Sequence, residues 1–315
     1  MGESEGRQRA LSALRTPWAL CAGLETCTLY IHVPFCAAKC AYCDFSSFAD
    51  VPATLVKQVL DETLRQLQRF ADSLRPKAVP AAYVGGGTPS LLSPQQMAAL
   101  LGGARAFGVD SGSRELPEIT VEANPESLSE EWLAACREGG VNRISLGVQS
   151  LHDPLLQALG RRATAAQARR GLAVLQRVWP HSSSVDLLAG IPGQTARELE
   201  RDIREVEACG HVSLYTLTVP PGSSLRVDGD RADRLWLAGK RQLERLGLEN
   251  YEVSNFARPG RQCRHNLGYW RLDPYLGVGP AAVGTLPSPE GAPQRLTNPA
   301  SLQRFLAGEG WGVEV

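Results

Sequence analysis

The chain is short of lysine, of net charge and of long apolar runs. Of its 33 basic residues only Lys39, Lys57, Lys77 and Lys240 are lysines, so arginine carries nearly all the positive charge. Basic and acidic residues number 33 each and cancel. That balance offers no basic surface for nucleic acid and no polybasic anchor for anionic lipid. No apolar stretch approaches the ~20 residues that span a bilayer. Residues 1–28 lack the apolar core of a secretory signal, and their arginines and alanines give only the faint outline of a transit peptide; they read as a leader, and the expected compartment is the cytoplasm. What remains is 43% hydrophobic over 315 residues, enough for a sizeable core.

Eight cysteines in a reducing compartment do not suggest a disulfide framework. Cys21, Cys27, Cys136 and Cys209 stand singly and read as small buried hydrophobes. Cys36, Cys40 and Cys43 do not. They share the stretch YIHVPFCAAKCAYCDFSSF at the spacing C-x3-C-x2-C, directly after a strand-like run. Zinc would need a fourth ligand, a redox C-x-x-C pair leaves Cys36 idle, and a 4Fe-4S cluster on three thiolates keeps one iron open to a small molecule.

Along the chain, strand-like runs alternate with helical ones from Leu29 to about Val219. Strands are expected at LYIHV, AAYVGG, EITVEA, RISLGV, SSVDLLAG and HVSLYTLTV, with amphipathic helices between them. Such βα alternation predicts an α/β fold with a parallel sheet. Periodicity alone leaves open whether six units form a doubly wound sheet or most of a barrel. Residues 29–222 make up this unit; residues 223–315 form a Gly- and Pro-rich extension too small for a core of its own, expected to pack on the main domain.

Polar residues cluster at the expected carboxyl ends of strands, where α/β proteins place their sites. GGGTPS, with Gly86, Gly87 and Thr88, follows the second strand; Glu122 ends the third, Gln149 and Ser150 the fourth, Asp186 the fifth. Each alone fits a solvated strand end equally well; together they suggest one rim. In the extension, CRHNLGYW brings together two residues able to ligate a metal, Cys263 and His265, and two flat aromatics, Tyr269 and Trp270. For His265 alone, a histidine satisfying a backbone group is the simpler account.

The triad, with the aromatic Tyr42 before its last cysteine, resembles the signature of the radical S-adenosylmethionine (SAM) superfamily. That resemblance implies a partial (βα)6 barrel with a short C-terminal extension, a 4Fe-4S cluster on Cys36, Cys40 and Cys43, and SAM chelating the open iron, where one-electron reduction cleaves it to a 5′-deoxyadenosyl radical. It further implies that the GGGTPS loop meets the SAM amino group, that Glu122, Gln149, Arg161 and Asp186 contact SAM, and that Tyr30 and Ile191 flank the cluster and the adenine. YIHVPFC, GGGTPSLL, NRISLGVQS, DLLAGIPGQT, YEVSNFARPG and HNLGYW together are similar to the coproporphyrinogen III oxidase-like group, and within it to the heme chaperone branch, HemW.

Phe45 stands where the oxygen-independent oxidase carries a further cysteine, so coproporphyrinogen dehydrogenation is not expected. A radical oxidoreductase acting on coproporphyrinogen III or a related substrate is the alternative. The partners implied are heme, with Cys263, His265, Tyr269 and Trp270 as the expected contacts, an acceptor hemoprotein and an electron donor such as flavodoxin or ferredoxin, with a peripheral membrane contact compatible with that role and no nucleic acid. Two departures bear on heme delivery: Val283 replaces a common histidine in GPAAVG, and the group's further helical or winged-helix-like domain is not among the residues present.

Overall fold

A computed structural model describes residues 24–74, 76–109, 116–180, 182–287, 292–309 and 312–314; most of the expected leader lies outside them. Six strands, β1 (Thr28–Val33), β2 (Ala81–Gly86), β3 (Glu118–Ala123), β4 (Arg143–Gln149), β5 (Ser183–Ala189) and β6 (His211–Thr216), pair in parallel and in sequence order. A doubly wound sheet reverses its order at a switch point. This one does not, so right-handed crossovers leave every connecting helix on one face and curl the sheet as an open, partial barrel. β6 stops at Thr216, three residues short of the expected run; Pro220 and Pro221 just beyond have no N–H for a ladder.

The connecting helices are α1 (Ala53–Leu74), α2 (Pro94–Ala104), α3 (Glu130–Glu138), α4 (Asp153–Ala158) with α5 (Ala165–Val178), and α6 (Ala196–Glu205); α7 (Gly229–Arg245) follows β6. Their starts are chemically specified. Ser93 with Gln96, Thr164 with Gln167 and Thr195 with Glu198 form reciprocal capping boxes that satisfy the first backbone N–H groups.

Each barrel strand splits by parity. Leu29, Ile31, Val84, Val121, Ile144, Leu146, Val185 and Leu187 face the helices and are fully buried, each stabilising by roughly 1.5–3 kcal/mol relative to exposure. The alternate positions, Tyr30, His32, Tyr83, Glu122, Arg143, Ser145, Asp186, His211 and Ser213, share the other face and fill the lumen with polar groups.

Residues after 222 extend both sheet edges. β8 (Asn255–Ala257) adds antiparallel to β6 and β7 (Glu249–Asn250) antiparallel to β8, while β9 (Tyr275–Val278) pairs in parallel with β1 and leads into β10 (Val283–Leu286), β11 (Gln294–Thr297) and β12 (Gly312–Glu314). Among the described residues these complete a twelve-stranded sheet. Between the two edges α8 (Arg264–Trp270) lies against the lumen, and α9 (Leu302–Leu306) packs on α1.

One buried amide pair joins the extension to the barrel. Gln66 on α1 donates to Asn298 Oδ1 at 2.9 Å and accepts from the Gly279 N–H at 3.1 Å; the Asn298 amide donates to the carbonyls of Gly277 and Ala282 at 3.1 and 3.2 Å. Asn298→Ala strands these buried groups, and urea unfolding is expected to show a loss of about 2–3 kcal/mol; a loss under about 0.5 kcal/mol would mean the clamp is not needed.

Candidate functional site

The loop after β1 holds the three clustered cysteines. A two-residue pairing of Phe35 and Cys36 with Phe48 and Ala49 closes it, and His32 reaches from the barrel face to bond the Ser46 carbonyl at 2.9 Å. Lys39 donates to the Phe45 carbonyl and to Ser47 Oγ, Arg162 to the Ala37 carbonyl at 3.0 Å, and Ser223 to the Ala41 carbonyl at 2.8 Å. The loop is tied to β6's exit and to α5's approach, so its conformation is set before any ligand arrives.

Beneath it opens a cavity of about 300 Å³. Cys36, Cys40 and Cys43, all free and half-buried, form one wall. Gly86, Gly87, Thr88, Glu122, Gln149, Arg161 and Asp186 form the rest, so the expected rim residues do converge. Thr88 Oγ1 lies 3.6 Å from Cys36 Sγ and Arg161 Nη1 3.9 Å from Cys40 Sγ. Among the described residues no three His, Cys, Asp or Glu stand close enough to hold a single metal ion. Three spread thiols around one cavity fit a polynuclear cluster better than zinc.

Two expected residues lie elsewhere. Tyr30 is deeper in the lumen, its hydroxyl 2.8 Å from His32 Nδ1 and its ring stacked on His265. Ile191 is buried with Leu155, Leu159, Leu188 and Leu217 behind the rim. In their place the cavity gains Tyr83, Asn124, Ser145, Tyr215 and Thr216. Their only sequence signal was period two within strands already recognised: Tyr83, Ser145 and Tyr215 occupy the polar parity.

Glu122 organises the floor. Its carboxylate accepts from Tyr83 Oη at 2.8 Å and from the Gly86 N–H at 3.0 Å. A Cβ on Gly85 would stand 2.8 Å from the Glu122 carboxyl carbon, and Gly86 has φ near +110° with its missing Cβ against the His32 ring. Two of the three glycines in GGGTPS are thus required by neighbouring side chains, irrespective of any ligand. Burial, and then the nearby Asp186, push the Glu122 carboxyl up to about 7. Asp186 is also raised by burial, against the pull of Ser213 and Ser145.

Arg161 brings the countercharge. It donates to Asn124 Oδ1 at 3.0 Å and to the Gly147 carbonyl at 2.7 Å, yet its buried Nε has no partner, nor has Glu126 Oε2 on the same cavity. A bulge between Gly147 and Gln149 re-aims Gln149, which takes φ +66°. Unspent buried donors and acceptors, a strained strand end and mixed charges suit a polar zwitterion of the size of SAM.

The HNLGYW segment is α8. His265 and Cys263 face inward: His265 is 2% exposed, stacks on Tyr83 at 4.9 Å and is held neutral by burial, down to about 3. Cys263 bonds Glu118 at 3.3 Å and is pushed up by burial to about 12. Trp270 faces solvent, while Tyr269 is only partly exposed and sets its ring edge-on against His265 and Tyr275, both at 4.5 Å. Of the four residues expected to hold heme, Cys263, His265 and Tyr269 therefore pack inward or against one another and Trp270 points out, at the end of the barrel opposite the cysteine loop.

Comparison with known proteins agrees with this architecture. Residues 30–206 match the radical SAM superfamily. The chain is 35% identical over 298 residues to the heme chaperone HemW of Haemophilus influenzae, spanning 91% of this chain and 77% of that one. It is 37% identical over 324 residues to radical S-adenosyl methionine domain-containing protein 1, mitochondrial, of Bos taurus, spanning 98% and 71%. The coproporphyrinogen III oxidase HemN of Escherichia coli, a radical SAM enzyme, superposes with a TM-score of 0.76 at 18% identity over 98% of this chain and 74% of that one, which shows the shared fold. The chain belongs to the radical SAM superfamily. Within that superfamily it is HemN/HemW-like, with heme chaperones among its relatives.

Glu122 carries a pH signature. Its folded pKa, about 7, lies above the ordinary 4.5, so the folded chain retains a proton the unfolded chain has lost, and stability falls as pH rises through that window. Glu122→Gln, which mimics the neutral form, is expected to match wild type near pH 5 and to exceed it by about 3 kcal/mol near pH 8 in urea unfolding of the apoprotein. An equal difference at both pH values would contradict the assignment.

Proposed function

We propose that this protein is a cluster- and SAM-binding heme chaperone, which takes up heme and passes it to an acceptor hemoprotein. The observation that carries the reading is the 35% identity to HemW over 91% of the chain, combined with Phe45 at the position beyond the triad. Cys36, Cys40 and Cys43 would hold a 4Fe-4S cluster, which supplies a one-electron reductant and an open iron for the amino and carboxylate groups of SAM.

The protein's own groups do the rest. Arg161 sits between Cys40 and the cavity and offers its unused Nε to a carboxylate. Glu126 supplies an unspent acceptor for an ammonium, and Asp186, framed by Ser145, an acceptor for ribose hydroxyls. Gln149 and Thr88 border the same space. Phe45, 63% exposed on the cavity rim, puts an apolar ring where a further thiol would be needed for the oxidase chemistry. An electron donor such as flavodoxin or ferredoxin would approach the loop side, which is open to solvent. Heme would engage the opposite end, through the exposed Trp270 and the partly exposed Tyr269 at the close of α8.

Among the described residues no helix is long and apolar enough to cross a membrane. The compartment we propose is the cytoplasm, where thiols stay reduced; the bovine relative's name places that protein in the mitochondrion.

The test is anaerobic reconstitution with iron and sulfide, followed by heme titration and mixing with an apo-hemoprotein. Wild type is expected to bind one heme per chain and to transfer it. Cys40→Ser should lose the cluster absorbance and still bind heme, since the two sites lie at opposite barrel ends. A chain that binds no heme, or that decarboxylates coproporphyrinogen III with SAM, contradicts the reading.

A further inference from the structure

A second cavity, of about 210 Å³, opens at the amino-terminal mouth of the barrel, away from the cysteine loop. It lies between the starts of β3 and β4 and the segment entering α8, and its wall includes Asn142, Arg143, Ser182, Arg261 and Arg264. Arg143 occupies the first inward-facing position of β4 and is 6% exposed. Among the described residues the one hydrogen bond of its guanidinium runs to the Arg261 carbonyl at 3.2 Å. Arg261 is exposed, and its Nη1 reaches Ser182 Oγ only at 3.5 Å.

A carboxylate does stand in the wall, but its capacity is drawn elsewhere. Glu118 Oε1 accepts from the Cys263 thiol at 3.3 Å and from the Arg264 N–H at 2.9 Å. Among the described residues neither Arg143 nor Arg261 has a carboxylate at salt-bridge distance. Burial opposes the Arg143 charge, and the nearby Cys263 and Glu118 offset that without a direct bond. A guanidinium nine-tenths buried, with most of its five donors unused among the described residues and a cavity beside it, is suited to receive an oxyanion.

The ligand's other half is indicated by what surrounds the cavity. α8 starts at its rim and rises about 9 Å from Arg264 to Trp270. At its far end Trp270 and Leu272 are exposed, with Tyr269 partly so, and the Trp270 indole donates to Glu252 at 2.9 Å, next in sequence to the exposed Val253. An apolar, aromatic surface at the far end of the short helix that starts at a cationic cavity is complementary to a flat apolar body with carboxylate arms.

We propose that this cavity is a carboxylate-binding site in which Arg143 and Arg261 grip the propionate arms of a porphyrin whose macrocycle lies over Tyr269 and Trp270. The inference rests on the heme reading above and assigns to that function an anchoring site distinct from any iron ligand. His265 need not leave its buried position for the porphyrin to be held.

Heme and its dimethyl ester, which keeps the macrocycle and lacks the charged arms, are titrated separately into the full chain, into Arg261→Glu and into Arg143→Lys; inorganic phosphate serves as a competing free oxyanion. Wild type is expected to bind heme at least about tenfold more tightly than the ester. That preference should vanish in Arg261→Glu, an exposed change that leaves the core intact, and shrink in Arg143→Lys, which keeps the charge and loses the fork. Phosphate should weaken heme binding and leave ester binding unchanged. Equal affinity for heme and ester in wild type, or a preference untouched by both substitutions, overturns the carboxylate site while leaving the heme reading in place. Phosphate competition without any preference for heme over the ester assigns the cavity to a free oxyanion and overturns the propionate assignment. A wild type that takes up neither porphyrin overturns both.

Discussion

The structure depends on one constraint: six parallel strands present a polar face to the inside of a partial barrel, where each buried polar group must find a partner. The outward face buries Leu29, Ile31, Val121, Leu146 and their like under the helices, as in any parallel sheet. The inward face carries Tyr83, Glu122, Ser145, Asp186 and His211, which bond one another in lateral pairs such as Tyr83 with Glu122 and Ser184 with His211. The cysteine loop covers the carboxyl end of this lumen and α8 the amino end. Both covers are held by side chains rising from the strands themselves, His32 to the Ser46 carbonyl above and Glu118 to Cys263 and Arg264 below.

Function follows from what that lumen leaves unsatisfied. Burial raises the cost of ionising both Glu122 and Asp186, two carboxylates within one cavity, Asp186 adds to that of Glu122, and Arg161 keeps an unspent donor among them. Such a site is less stable than an apolar filling would be, and a ligand with fixed charges recovers the difference. At the other end a buried arginine and an exposed aromatic helix face make a second, separate demand. The two ends meet through Tyr83, which donates to Glu122 above and stacks on His265 below.

Much of this was legible in the sequence. The six strands and their helices followed from periodicity and from capping residues such as Thr164 and Thr195, and the triad announced a three-thiol site by its spacing. The rim residues Glu122, Gln149 and Asp186 were visible as polar strand ends. Tyr83, Ser145 and Tyr215 were not, because their role depends on which parity faces inward, and that is set by neighbouring strands. Tyr30 and Ile191 were expected beside the ligand, and sit one layer too deep and behind the rim. The pairing of β9 with β1 joins residues about 245 positions apart and has no local signal. For His265 alone the simpler reading was a histidine satisfying a backbone group; the packing of α8 instead encloses its ring among Tyr30, Tyr83 and Tyr269 and, among the described residues, leaves its buried Nδ1 without a partner.

The proposed function requires that Cys36, Cys40 and Cys43 hold a cluster whose open position faces the Glu122 and Arg161 cavity. The decisive measurement is electron paramagnetic resonance of the reconstituted, reduced protein, recorded with and without SAM. A 4Fe-4S signal is expected that changes when SAM is added and ceases to change when Arg161 or Glu126 is replaced by alanine. A signal indifferent to SAM in the wild type, or a cluster that survives the loss of Cys36, Cys40 and Cys43, would contradict it.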